Sequence, residues 1–122
     1  MHTDTLPQHV PLLIDGQWIQ TNEQVPSCNP YTGKTAFFVS ECTDELLDQA
    51  LAAADKAKFA TGKMPARDRA DLLRRAAQGI RQHSESIARI MAIETGKPLT
   101  DALTEVLRSA ETFELSAQEA VR

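Results

Sequence analysis

The sequence predicts an α+β segment, with short strands first and four amphipathic helices after them. Three observations lead to this. The apolar spacing changes from a period of two to a period of 3.6 near residue 43. Before that point an Asp-Gly pair and closely spaced prolines mark turns and extended backbone. After it, Gly62, Pro65, Gly96 and Pro98 fall where helices stop and start.

Residues 1–10 are expected to be a loose terminus. Leu12, Leu13 and Ile14, then Trp18 and Ile19, form two arms around Asp15-Gly16, a pair that favours a two-residue hairpin turn. Val25 to Pro30 is extended, because a proline disfavours the helical region for the residue before it. Tyr31 to Lys34 reads as a turn, and the β-branched and aromatic run Thr35 to Ser40 as a strand. So few short strands do not make a self-sufficient sheet, so partners outside the chain are expected for them.

Thr43 is the expected cap of the first helix, with Asp44 and Glu45 facing the positive end of its dipole. Leu46, Leu47, Ala50, Leu51 and Ala54 make its apolar stripe, and Gly62 closes it. Pro65 suits the first position of a second helix, whose stripe is Leu72, Leu73, Ala76, Ala77 and Ile80. Ser84 caps a third helix bearing Ile87, Ile90 and Met91, which Gly96 ends. The fourth opens near Pro98 and buries Leu99, Ala102, Leu103, Val106, Ala110, Phe113 and Ala117. No stop signal follows, and the pattern reaches Arg122, which leads to the expectation of a truncated longer chain. Trp18 and Phe113 are expected in the core.

Composition excludes several function classes. Thirteen basic and 17 acidic residues are interspersed, for a net charge of -4, so no basic surface is concentrated for nucleic acid or anionic membrane. No apolar run approaches the ~20 residues of a membrane span. Cys28 and Cys42 lack the CxxC spacing of a zinc or redox site and read as structural thiols of a reducing compartment. The N-terminus has no basic-then-apolar leader, so a cytoplasmic location is expected. His2, His9 and His83 give no catalytic signal. No GxGxxG or Walker A pattern occurs.

Three stretches, taken in order, resemble one family. They are Leu13-Ile14-Asp15-Gly16-Gln17-Trp18, Asn29-Pro30-Tyr31-Thr32-Gly33-Lys34 and Glu94-Thr95-Gly96-Lys97-Pro98-Leu99. With the Pro65-x-Arg67-x-Arg69-Ala70 helix start between them, the chain resembles the N-terminal segment of the aldehyde dehydrogenase superfamily. It is most similar to the subgroup acting on glyceraldehyde-3-phosphate, lactaldehyde and phosphonoacetaldehyde. The resemblance implies that residues 11–122 are an incomplete part of a Rossmann-type α/β cofactor-binding domain. It also implies a homo-oligomeric parent, dimer or tetramer, that uses NAD or NADP and a small aldehyde. The family's nucleophilic cysteine, general-base glutamate, oxyanion asparagine and cofactor loop lie beyond residue 122. No catalytic or cofactor-binding residue is therefore assigned here, and the segment alone is expected to be inactive. A catalytically silent helical interaction module is the alternative.

Two sets of site residues follow from the resemblance. Arg108, in Glu105-Val106-Leu107-Arg108, is similar to an arginine that binds the anionic group of the substrate, with Thr112 one turn on as a second candidate. Succinate semialdehyde is the runner-up substrate type. On the residues alone, Arg108 reads equally as a solvated cation paired with Glu105 or Glu111. Ser27, Cys28 and Glu94 map onto a monovalent-cation site that uses two backbone carbonyls and a carboxylate. The other reading of Glu94 is a helix-end carboxylate bonding nearby backbone.

Overall fold

A computed structural model describes residues 7–122. The chain divides into two compact units, one ending at Lys63 and the other spanning Met64–Arg122.

The first unit contains β1 (His9–Val10), β2 (Leu12–Ile14), β3 (Gln17–Ile19), β4 (Gln24–Cys28), β5 (Thr35–Ser40) and α1 (Asp44–Lys63). β2 and β3 form the expected hairpin, pairing Leu12 with Ile19, Leu13 with Trp18 and Ile14 with Gln17. Its turn residues Asp15 and Gly16 have φ of 49° and 75°. Two successive positive φ values give the turn whose twist matches paired strands. Leu12, Ile14 and Ile19 are half-buried on one face. Leu13 and Trp18 stand opposite each other on the other face, and Trp18 is 68% exposed rather than in the core. Alternation along a two-stranded ribbon forces this: Trp18 cannot share the face of Ile19.

The remaining strands pair with one another. They form a sheet of order β1-β5-β4, with β1 parallel and β4 antiparallel to β5. The terminus expected to be loose through residue 10 is paired from Gln8, whose carbonyl accepts from the Phe38 amide at 3.0 Å. The His9 ring stacks on Phe38. The expectation for residues 1–6 lies outside the described residues. Phe37 and Ser40 are the buried side chains of β5, and the Ser40 hydroxyl accepts from the Thr21 amide at 3.2 Å.

Thr43 caps α1 as expected, its hydroxyl accepting from the Leu46 amide at 3.3 Å. Hydrogen bonds from its own backbone and from the Thr43 side chain hold the Glu45 carboxyl below its ordinary range. The helix passes through Gly62 and stops after Lys63. Pro65 sets this stop, by disfavouring helical backbone at Met64. No residue of α1 is buried, and Leu47, Leu51 and Phe59 are 50%, 60% and 63% exposed.

The second unit is three helices, α2 (Ala66–Gln82), α3 (Ser84–Thr95) and α4 (Leu99–Glu119). Pro65 and Pro98 stand one residue before α2 and α4 with extended ψ. Ser84 is the first residue of α3, and His83 joins it to α2: its amide donates to Gly79 and its carbonyl accepts from Ile87. Gly96 ends α3 at φ 72°, its amide donating to the Ala92 carbonyl at 2.9 Å. α4 packs against both α2 and α3. Ala88, Ala102 and Val106 form the core there, wrapped by Ile80, Ile87, Met91, Ala92 and Leu103. Ala70, Ala77, Ala110 and Ala117 are also fully buried. Small side chains at these positions let helix backbones approach closely. Phe113, expected in the core, is 38% exposed. α4 ends at Glu119, where the amides of Val121 and Arg122 bond back to Gln118 and Glu119 in a tightened final turn.

Candidate functional site

The buried residues of α4, Ala102, Val106, Ala110 and Ala117, repeat at three- and four-residue intervals. A helix with one such face presents the opposite face to solvent, and there Asp101, Thr104, Glu105, Arg108, Ser109 and Thr112 line an open depression. Asp101, Glu105, Arg108 and Thr112 follow one another at i, i+4, i+7 and i+11, a narrow polar stripe with one cation in it.

Helical geometry offers Arg108 two carboxylates, Glu105 and Glu111, each three residues away. Neither is taken. Glu105 is instead ion-paired with Lys97 from the turn that precedes α4. Among the described residues no carboxylate pairs with the Arg108 guanidinium, which is exposed to solvent.

Thr112 differs from Arg108 in a decisive way. Its hydroxyl donates to the Arg108 carbonyl at 3.1 Å, as Thr104 donates to Thr100 and Ser109 to Glu105. A hydroxyl has one hydrogen, and here it is spent on the helix itself. The three hydroxyls turn lone pairs outward, which an anion does not seek. Arg108 is the only donor-rich side chain among these lining residues.

Ser27 and Cys28 end β4, at an irregularity in its register with β5. Ser27 is half-buried, and the exposed Cys28 thiol lies 3.9 Å from the Thr35 hydroxyl. Glu94 lies in the last turn of α3, in the other unit. Among the described residues no three His, Cys, Asp or Glu side chains gather as a metal site; that concerns side-chain ligands, not carbonyls.

A dinucleotide needs a helix N-terminus free to receive its pyrophosphate. Each helix here carries an acid in its first turn: Asp44 and Glu45 in α1, Asp68 in α2, Glu85 in α3 and Asp101 in α4. Those charges lie beside the positive dipole ends and disfavour phosphate there. These four helix starts do not fit the cofactor's phosphates.

The model of the "Aldehyde dehydrogenase family" matches residues 18–122. The chain belongs to the aldehyde dehydrogenase family. Among curated relatives, the NADP-dependent glyceraldehyde-3-phosphate dehydrogenase of Zea mays is 37% identical over 110 residues, covering 88% of this chain and 22% of that protein. The lactaldehyde dehydrogenase of Methanocaldococcus jannaschii is 34% identical over 106 residues, covering 87% and 23%. Thus the chain spans about a fifth of the length of the aldehyde dehydrogenases it matches. Among solved structures, aldehyde dehydrogenase 21 from Physcomitrella patens, in complex with the reaction product succinate, matches at a TM-score of 0.91 with 30% identity. It covers 96% of this chain and 24% of its own. Lactaldehyde dehydrogenase from Escherichia coli matches at 0.90 with 28% identity, covering 96% and 25%. The strands-then-helices order is therefore part of the family's Rossmann-type α/β cofactor domain. No helix among the described residues is long and apolar enough to cross a membrane.

Sequence reasoning singled out Arg108 and Thr112 but not Lys97, Asp101, Thr104 or Ser109. The i, i+4, i+7 spacing of the stripe was a usable signal for Asp101. The Lys97–Glu105 pair left none, because it joins a turn to a helix eight residues on.

Proposed function

We propose that this chain is the N-terminal part of an NAD(P)-dependent aldehyde dehydrogenase that oxidises a small anionic aldehyde to its carboxylic acid through a thioester. Residues 11–122 begin the cofactor-binding domain of a cytoplasmic homo-oligomer. The cysteine nucleophile, the general base and the NAD or NADP site come from polypeptide outside these 122 residues, so the segment alone turns nothing over.

One observation supports the substrate class: the Arg108 guanidinium is exposed opposite the buried stripe of α4, beside two carboxylates that leave it unpaired. A planar fork of N–H donors matches the oxygens of a phosphate or carboxylate. Its helix is fixed by the Ala102–Val106 core, so the cation is held on a rigid element. Relatives named for glyceraldehyde-3-phosphate, lactaldehyde and malonate semialdehyde are consistent with small polar or anionic substrates.

The test is a graft in which residues 18–122 replace the matching segment of the Zea mays relative. Arg108→Met should lower kcat/KM for glyceraldehyde-3-phosphate roughly 10- to 100-fold, the worth of a hydrogen bond to a charged group. A neutral aldehyde of similar size should be affected less than threefold by the same change, and Arg108→Lys should recover part of the loss. Equal losses on both substrates would overturn the assignment.

The alternative, a catalytically silent interaction module, has one observation in its favour, the uncovered Leu47, Leu51 and Phe59 on α1.

A further inference from the structure

We propose that Lys97 is a positioning residue for anion binding: by holding the Glu105 carboxylate it keeps the Arg108 guanidinium uncommitted. This rests on the reading of Arg108 given above and adds to it a second residue and a cause.

Glu105 and Arg108 are three residues apart on one helix, a spacing at which opposite charges normally meet. Asp101 and Thr112 extend the same stripe, and Glu111 lies three residues beyond Arg108. In such a setting the carboxylates of the helix compete weakly with a ligand for the arginine. Here Glu105 turns instead to Lys97, which sits just past the Gly96 helix stop and is 30% exposed. The left-handed backbone at Gly96 turns the chain so that Lys97 precedes α4 by two residues, beside its first turns. Two interactions are thereby linked. The pair with Lys97 satisfies the carboxylate, and the arginine keeps its donors for a ligand. Without Lys97, the carboxylate nearest Arg108 along the stripe becomes its internal competitor, and a phosphate or carboxylate ligand must displace it.

The competition can be read in the 122-residue chain without turnover, by titrating isotope-labelled protein with inorganic phosphate and following the Arg108 Nε–Hε resonance. Dispersed amide spectra check that each variant is folded. In the unsubstituted chain phosphate should shift this resonance. Lys97→Met should weaken the apparent affinity about twofold, and a contact between Arg108 Hε and the Glu105 γ-protons should appear in the Overhauser spectrum. Lys97→Arg should keep the original response, and Lys97→Met with Glu105→Gln should restore it. An unchanged affinity in Lys97→Met overturns the proposal while leaving the Arg108 reading intact. So does a weakened affinity with no new contact, since loss of a nearby charge then explains it. An Arg108 resonance that ignores phosphate in the unsubstituted chain overturns both.

Discussion

Gly96 and Gly79 are both glycines of the helical unit, and replacing them by alanine should have opposite effects. At Gly96 the backbone is left-handed, φ 72°, so a Cβ meets the following carbonyl, and Gly96→Ala should cost about 1–2 kcal/mol. Gly79 lies inside α2 with open space where a Cβ would sit, so Gly79→Ala should stabilise by about 0.5–1 kcal/mol. Thermal unfolding of the two variants reads the signs directly. Gly96 was legible in the sequence, because a glycine two residues before a proline at the end of an apolar pattern has one common use. Asn29 was legible too: its side-chain oxygen accepts from the Tyr31 and Thr32 amides, both at 2.9 Å, as a turn asparagine should. Trp18 was not. A large apolar residue suggests burial, but the hairpin register puts it on the face opposite Ile19.

Among elements, α4 is defined by how closely its neighbours approach. Ala88 of α3 and Ala102 of α4 are fully buried in one cluster. A larger side chain there must push the helices apart, so Ala102→Leu should destabilise the chain by about 1–3 kcal/mol despite adding apolar surface. A urea midpoint lowered at unchanged slope would show this. A raised midpoint would mean the helix contact is loose. The period of 3.6 made all four helices readable, and the polar side of α4 with them, so Arg108 could be placed on the solvent face from sequence. What the period does not report is the partner. α1 carries an apolar stripe too, yet none of its residues is buried. Amphipathicity describes one helix, whereas burial needs a second surface.

For the molecule as a whole, the ordered motifs at Leu13–Trp18, Asn29–Lys34 and Glu94–Leu99 made the family readable, since each is a turn or helix end fixed by local chemistry. Strand pairing was less readable. His9 lies parallel to Phe38 across an intervening hairpin and a further strand, and no local spacing announces such a contact. The uncovered Leu47, Leu51 and Phe59, the acid in every helix's first turn and the match to about a fifth of each relative's length all bear on one claim. That claim, the proposed function, is that this segment takes part in aldehyde oxidation only within a longer chain. The direct measurement is aldehyde-dependent formation of NADPH or NADH by the purified 122-residue chain, run beside the graft into the Zea mays relative. The proposed function predicts turnover by the graft and none by the chain alone. Turnover by the chain alone, or a folded graft inactive on every small aldehyde, would contradict it.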